Sequence, residues 1–301
     1  MLELTPCYFN KFSCIADKCK HNCCIGWEID IDEDTMEYYN SMDTPLGKRI
    51  RQNVEGEEPH FVLKENERCP FLNSKNLCDI ISELGEDGLC DICRLHPRFR
   101  NYYDSFCETG LGLCCEEAAR IILSEKEKFS IELDGDVFLT DEEKTFLSVR
   151  NDVFSLICDR SKSIKERFLN LAEGFGFEFD FYLSEICQKL LSLERLCQDW
   201  TKELEDLSAY DFDESIFKNS EYSLCLENLA VYFVFRHFNF SIAEIDYALV
   251  IRFALLCVYV IAAIWSMKKL KTIEELSEVA RMLSSEIEYS PENTESLIYT
   301  E

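Results

Sequence analysis

The stretch Phe-Ala-Leu-Leu-Cys-Val-Tyr-Val-Ile-Ala-Ala-Ile-Trp, residues 253–265, is the longest apolar run of the chain. A membrane-spanning helix needs roughly 20 residues of this kind. The 13 residues of the run therefore favour a helix that is buried on most sides in a helical domain. Extending the run to 247–267 adds one charge, Arg252, and makes a marginal membrane span. We expect a buried core helix and no membrane insertion.

Helical periodicity continues on both sides of this run. Capping boxes at Thr140 and Glu143, and at Thr272 and Glu275, predict two helix starts. Apolar residues between 183 and 207 recur in alternate steps of three and four, which predicts one long amphipathic helix. The other predicted helices cover 164–172 and about 222–238, 243–268 and 273–288.

The first 128 residues have a different character. Strict alternation over 27–32 predicts a strand, 61–64 is a second candidate strand, and a helix opens between them near Asp32. Cysteines concentrate here, whereas the rest of the chain has few. We predict a mainly α protein with a Cys-rich metal-binding module over 1–128, containing at most a small β-sheet, and an all-helical domain over 129–301.

The charge balance excludes one class of partner. The chain has 31 Lys and Arg against 58 Asp and Glu, a formal net charge of −27. Such a surface repels a phosphate backbone, so we expect no nucleic acid partner. A cationic substrate fits better, although acidity also serves solubility.

The cysteines carry most of the information about function. Twelve of the 17 fall in residues 1–115, and the N-terminus resembles no secretory signal. Clustered thiols in a reducing, cytoplasmic compartment favour metal binding over disulfides. Adjacent cysteines at 23–24 and 114–115 support this, because vicinal cysteines rarely bond each other. The five later cysteines are expected to be small buried hydrophobes: Cys158, Cys187, Cys197, Cys225 and Cys257.

The spacing of the early cysteines is typical of metal ligands. One group is Cys14-x4-Cys19-x3-Cys23-Cys24, and later cysteines follow at Cys69, Cys78, Cys90-x2-Cys93 and Cys115. Soft thiolates bind zinc or iron, and four of them complete one metal or iron–sulfur shell. Ligands from distant segments would close the loop between residues 24 and 69. The spacing alone does not decide which four bind or how many centres form.

These motifs resemble the flagellin lysine N-methylases, whose N-terminal part belongs to a wider group of zinc- or iron-chelating cysteine proteins. The resemblance covers about the first 120 residues in order. The matching text is Pro6-x-Tyr8, Phe12-Ser13-Cys14, Cys23-Cys24-Ile25-Gly26-Trp27, Arg68-Cys69-Pro70-Phe71-Leu72, Leu77-Cys78, Glu83-Leu84-Gly85-Glu86, Cys93-Arg94-x2-Pro97-Arg98 and Leu113-x-Cys115-x-Glu117-Ala118-Ala119-Arg120.

The resemblance implies a protein-lysine N-methyltransferase that uses S-adenosylmethionine and acts on flagellin in the cytoplasm. It also implies a cysteine-ligated centre, which we expect to be a 4Fe–4S cluster with zinc as the alternative. Cys7, Cys90 and Cys107 fall outside the resembling pattern and are expected to be non-ligands. The expected ligands come from Cys14, Cys19, Cys23, Cys24, Cys69, Cys78, Cys93 and Cys115.

Other functions compete with this one. Glu108-Thr109-Gly110-Leu111-Gly112 looks like the acidic turn of Rossmann-type methyltransferases, but the chain lacks the alternating strands and helices of a doubly wound sheet. A non-catalytic iron- or zinc-binding protein is the main alternative, and an iron–sulfur redox enzyme is the third.

Overall fold

The computed structural model describes residues 2–133, 138–239 and 246–299. It is 58% helical, with thirteen α-helices and a small mixed four-stranded sheet in the described residues. The predicted mainly α class is confirmed.

The chain separates into two compact units. The cysteine unit is Ser13–Phe99, and the helical unit is Met1–Phe12 together with Arg100–Glu301. The N-terminal strand belongs to the helical unit because it pairs with strands that come more than 100 residues later. The predicted boundary at residue 128 falls inside the helical unit, between a helix and a strand.

The cysteine unit is built from four short helices and a two-stranded ribbon. The side chain of Asp32 caps the first helix by accepting from the Thr35 amide at 2.9 Å, as the sequence predicts for a helix opening there. Buried apolar side chains such as Ile29, Tyr39 and Phe61 form its core. Its elements are α1 (Glu33–Ser41), α2 (Pro45–Arg51), β2 (Val54–Glu55), β3 (His60–Phe61), α3 (Asp79–Leu84) and α4 (Asp91–Leu95).

The prediction of a regular strand over 27–32 is wrong. This segment makes hydrogen bonds with the β3 region, from the Phe61 amide to the Ile29 carbonyl at 3.0 Å and from Ile31 to Pro59 at 2.8 Å. Only an isolated bridge forms at Asp30 in this part of the structure, and β3 takes its ladder partner from β2 instead. The alternating side chains therefore mark a paired, extended segment that is too irregular to be a strand.

A mixed sheet of four strands was not expected from the sequence. The strands are β1 (Leu2–Pro6), β4 (Arg98–Tyr102), β5 (Phe106–Leu111) and β6 (Ile131–Leu133), in the order β4-β5-β1-β6. Strand β1 runs parallel to β5, with Leu2 opposite Phe106, and antiparallel to β6, with Pro6 opposite Ile131. These pairings join segments that are far apart in the chain, so local patterns carry little signal for them.

Helices make up most of the helical unit. They are α5 (Glu116–Ser124), α6 (Asp141–Ile157), α7 (Ile164–Gly174), α8 (Leu183–Ser192), α9 (Gln198–Ser208), α10 (Ser220–His237), α11 (Tyr247–Lys268), α12 (Ile273–Ile287) and α13 (Pro291–Ile298). Both predicted capping boxes are present, at Thr140 and at Thr272. Helix α5 packs against α10 and α12, and α11 packs against α10 and α12.

The apolar run 253–265 lies in α11, and every residue of it is buried. Among the described residues, α11 is the one helix whose length and composition would suffice to cross a membrane, and 83% of its most apolar window is buried. Burial within the helical unit accounts for its all-round hydrophobicity. The predicted start at residue 243 lies outside the described residues.

The single long helix predicted over 183–207 is wrong. It is interrupted between α8 and α9, where the buried Glu286 carboxylate accepts from the Leu196 amide at 2.7 Å and the Cys197 amide at 3.0 Å. Cys197 is exposed, contrary to its expected burial, and its sulfur accepts from the Trp200 amide at the start of α9. A distant carboxylate has replaced the helical partners of these amides. The other four late cysteines are buried as predicted.

The capping box of α12 gives a stability prediction. Thr272→Ala removes the hydroxyl that accepts from the Glu275 amide, so we expect the free energy of unfolding to fall by about 1 kcal/mol. Urea unfolding followed by circular dichroism measures this loss. Thr145→Ala is the control, because Thr145 is an exposed interior position of α6 where alanine favours the helix. Equal losses in the two variants would contradict the capping role.

Candidate metal centre

Six cysteine side chains gather in the cysteine unit, and we call them the sulfur group. The Cys24 thiol interacts with those of Cys69 and Cys78, and the Cys93 thiol interacts with those of Cys24 and Cys69. Close neighbours complete the group, Cys23 beside Cys24 and Cys90 beside Cys93, each pair joined by a side-chain hydrogen bond. The sulfur group is Cys23, Cys24, Cys69, Cys78, Cys90 and Cys93.

Backbone hydrogen bonds bring the first three segments of the sulfur group together. The Cys69 amide donates to the Cys24 carbonyl at 2.9 Å. The turn after Cys69 then pairs with the next segment through a bridge between Leu72 and Cys78, and through the Asp79 amide, which donates to the Phe71 carbonyl at 2.8 Å. Contacts of the main chain, and not of the thiols themselves, therefore hold Cys24, Cys69 and Cys78 near one another.

Helix α4 supplies the last two sulfurs. Cys90 is its N-cap residue, and the Arg94 amide donates to the Cys90 carbonyl at 2.9 Å, which starts the first helical turn. Cys93 lies on that turn, so both sulfurs lie on one side of the helix. The Asp32 carboxylate, which caps α1, also accepts from the Asp91 amide at 2.8 Å. One carboxylate therefore positions α4 against the start of α1.

Nearby backbone amides favour ionisation of three of the thiols. The amides of Phe71 and Leu72 act to lower the pKa of Cys69, and those of Ile80 and Ile81 act to lower the pKa of Cys78. The Cys93 amide acts in the same direction on Cys90. Amide donors favour the thiolate form and tune a metal bound to it. This donor set fits a thiolate-ligated centre.

Burial opposes ionisation of the same thiols. It raises the pKa of Cys69 to about 11, and the hydrogen bond with Cys90, together with burial, raises the pKa of Cys93. The hydrogen bond from Cys24 lowers the pKa of Cys23 to about 7. Apolar side chains of the core surround the group, and Tyr39 lies close to it with its hydroxyl donating to the Gly88 carbonyl at 2.7 Å. A bound cation would favour the thiolate form of these cysteines and offset the effect of burial.

The thiols of the sulfur group are not drawn into one tight shell. A zinc–sulfur distance of about 2.3 Å places four tetrahedral sulfurs within about 4 Å of one another. In the described part of the chain, no three cysteine sulfurs lie within 4.8 Å of one another.

The structure gathers five of the eight predicted ligands, those at 23, 24, 69, 78 and 93. Cys14 and Cys19 make local contacts, from the Ala16 amide to the Cys14 sulfur and from the Cys19 thiol to the His21 carbonyl. Cys115 belongs to the helical unit, where it precedes α5. Whether these three bind a metal stays a prediction.

Cys90 belongs to the sulfur group, a position that the sequence pattern did not predict. We expected it to be a non-ligand, but it lies against Cys93 in the sulfur group. The signal was present in the spacing Cys90-x2-Cys93, which is a common metal-ligand spacing. The other two expected non-ligands, Cys7 and Cys107, lie in the helical unit.

A second group of potential ligands is found at the surface of the cysteine unit. Glu28, Asp30 and His60 have ligand atoms within 4.8 Å of one another, with both carboxylates exposed. The Glu58 carbonyl and then the nearby carboxylates raise the pKa of His60. This group is best described as an acidic surface patch around one histidine.

The acidic-x-Gly-x-Gly stretch is not a nucleotide site. Glu108 is fully buried on β5, and both of its carboxylate oxygens bind the Arg150 guanidinium, one of them at 2.7 Å. Tyr103 donates a further hydrogen bond to it at 3.1 Å. A carboxylate committed in this way cannot also hold the ribose of a cofactor.

Fold and site together define a class: mainly α proteins that carry a compact cysteine-rich unit with a preassembled group of thiols. The chain is 27% identical to the Lysine-N-methylase of Salmonella typhimurium over 148 residues, 44% of this chain and 35% of that protein. The Lysine-N-methylase of Salmonella choleraesuis gives the same identity and coverage. The chain is 28% identical over 180 residues to the flagellar biosynthetic protein FliU of Salmonella muenchen, 54% of this chain and 96% of FliU.

These similarities agree with the resemblance to the flagellin lysine N-methylases that the motifs indicate. The matched part spans about a third of the length of each Lysine-N-methylase. No family model matches the chain, and no solved structure does.

Proposed function

We propose that the protein transfers methyl groups from S-adenosylmethionine to lysine side chains of flagellin, and that it carries a cysteine-ligated 4Fe–4S centre. The observation that carries the activity is the similarity to two proteins named Lysine-N-methylase. The match to nearly the whole of FliU supports a flagellar substrate. Reducing cytoplasm, where the thiols stay available as ligands, is the proposed location.

The sulfur group supports the metal part of the proposal. Its sulfurs come from four segments, three joined by backbone hydrogen bonds and the fourth being α4, and nearby amides favour the thiolate form of three of the cysteines. Four of the six would ligate one cluster. Zinc is the alternative, and its smaller shell would need the sulfurs to move closer together.

We assign the metal an organising role. Methyl transfer from a sulfonium to an amine is a two-electron displacement, so the step needs neither an electron nor a metal nucleophile. The residues of the chain have to hold the neutral amine in line with the methyl group, about 3 Å away, and exclude water. The net charge of −27 attracts lysine-bearing surfaces from a distance.

The test incubates anaerobically purified protein with methyl-labelled S-adenosylmethionine and flagellin from the same source. We expect label on flagellin lysines, located by mass spectrometry, together with iron and acid-labile sulfide in the protein. Flagellin whose lysines have been acetylated is the control and should take up no label.

Two results would contradict the proposal separately. No label on flagellin, with donor binding and metal intact, would favour the non-catalytic metal-binding protein, for which the compact cysteine unit would suffice. Full zinc occupancy without iron or sulfide would reject the iron–sulfur centre and leave the methylase activity open to the labelling result.

A further inference from the structure

A buried carboxylate in the helical unit gathers an unusual number of partners. The Glu288 side chain, at the end of α12, has no exposed surface. It accepts hydrogen bonds from the Tyr232 hydroxyl at 2.9 Å, from His237 Nε2 at 2.6 Å and from the Ser284 hydroxyl. It also forms a salt bridge with Arg236, whose Nε lies 3.2 Å away. We call these five residues the Glu288 network.

Burying the charged side chains of this network costs free energy of folding. The network joins the ends of α10 and α12 beside apolar α11, and its polar side chains are largely removed from water. Burying a charged pair is often no more stabilising than apolar packing of the same volume. Stability alone therefore gives no reason for a charge here, whereas precise positioning does.

The network fixes two neighbouring residues. The Tyr232 hydroxyl accepts from the Leu113 amide at 3.1 Å, which anchors the segment that continues into Cys114. Glu288 directly precedes Tyr289 in the chain. The Cys114 thiol donates to the Tyr289 hydroxyl oxygen at 2.7 Å, and the Arg236 guanidinium lies 5.6 Å from the centre of the Tyr289 ring.

At the Cys114–Tyr289 pair, the Glu288 network approaches the solvent. Tyr289 is 45% exposed, whereas the Glu288 side chain beside it is fully enclosed. A rigid interior thus supports a partly exposed tyrosine, with the half-buried Cys114 thiol behind its hydroxyl. Such an arrangement is typical of a binding residue held by an inner set of hydrogen bonds.

We propose that the Tyr289 hydroxyl, held by Cys114 and the Glu288 network, binds the ε-amine of the substrate lysine. This assignment rests on the proposed methylase function. A phenol oxygen can accept two hydrogen bonds, one from the Cys114 thiol and one from an N–H of the amine. The amine lone pair then stays free to attack.

The chemistry suits a neutral amine. The Glu288 charge is offset by the Arg236 guanidinium, whose Nε lies 3.2 Å from the carboxylate. No unpaired carboxylate of the network therefore stabilises the unreactive ammonium form. In the step, the N–CH₃ bond forms as the S–CH₃ bond breaks, the sulfur keeps the electron pair, and the methylated ammonium releases a proton to solvent.

Tyr289→Phe tests the assignment, with Tyr182→Phe as the matched control. Tyr182 is another exposed tyrosine of the helical unit, and its hydroxyl makes one side-chain hydrogen bond, to Asp180. Losing one hydrogen bond to the substrate should raise KM for flagellin about tenfold in Tyr289→Phe, with unchanged donor affinity, metal content and thermal stability. Tyr182→Phe should behave as wild type.

The outcomes separate this inference from the proposed function. If the wild type methylates flagellin and both phenylalanine variants match it, the amine site is elsewhere and the methylase function stands. If the wild type transfers no methyl group, the function fails, and equilibrium binding of flagellin against lysine-acetylated flagellin decides the inference. If flagellin binds through its lysines and Tyr289→Phe weakens this binding, the inference stands. If no lysine-dependent binding is found, or Tyr289→Phe leaves it unchanged, the inference is overturned.

Discussion

Cys69→Ser is expected to empty the metal centre and destabilise the protein by about 4 kcal/mol, the stabilisation that a ligand provides at about 1,000 times its dissociation constant. Cys69 lies at the middle of the sulfur group, interacting with Cys24, Cys78 and Cys90. A serine hydroxyl is a poor substitute for a soft thiolate. Iron and sulfide analysis measures the loss of the centre, and urea unfolding under anaerobic conditions measures the loss of stability.

The matched control for this variant is Cys187→Ser. Cys187 is buried in α8 and belongs to the helical unit, so its replacement should cost about 1–2 kcal/mol for burying a hydroxyl and leave the metal content unchanged. Cys90→Ser and Cys107→Ser test whether the structure or the sequence pattern better predicts the metal ligands. Both were expected to be non-ligands, but the position of Cys90 in the sulfur group implies that only Cys90→Ser lowers the iron content.

The same experiment tests the organising role of the metal. Because the thiols lie against the core of the cysteine unit, a metal-free protein should lose stability and methyl transfer together. A metal-free protein that unfolds at the wild-type urea concentration but transfers no methyl group would show that the metal acts in the reaction.

Arg150→Met is expected to destabilise the helical unit by about 3–5 kcal/mol, because it leaves the Glu108 carboxylate buried without its cation. Both side chains are fully enclosed, and the Arg150 guanidinium lies 4.9 Å from the centre of the Phe146 ring. A loss of this size is a large part of the 5–15 kcal/mol that stabilises a typical domain. Urea unfolding at neutral pH gives the value.

Two further variants isolate the charge effect. Lys144→Met removes a salt bridge on the same helix, but its partner Asp141 is exposed, so the loss should be at most about 1 kcal/mol. The double variant Glu108→Leu/Arg150→Met removes both charges and should recover most of the stability. If the double variant were as unstable as Arg150→Met, lost packing and not the unpaired carboxylate would be the cause.

Residues near one another in sequence carried most of the correct predictions. The helix starts at Thr140 and Thr272 follow from a hydroxyl and a carboxylate three residues apart, an interaction within one turn. The burial of 253–265 follows from its composition. The family resemblance came from short motifs in order along the chain, which folding does not alter.

Where the sequence reasoning failed, a distant residue was decisive. Glu286 binds the amides of Leu196 and Cys197, about 90 residues away. The continuous amphipathic pattern is therefore divided into two helices at this point. Strand β1 finds its parallel partner about 100 residues later.

The same distinction between short-range and long-range contacts applies to the candidate sites. The sequence by itself determined a mainly α fold, a cysteine-rich first third and the family that it resembles, because these depend on composition and on short-range order. Tertiary structure decided that Cys90 joins the sulfur group, that Glu108 is committed to Arg150, and that Cys114 meets Tyr289. These contacts depend on how helices and strands pack, and hydrogen bonds between remote segments are absent from any local pattern.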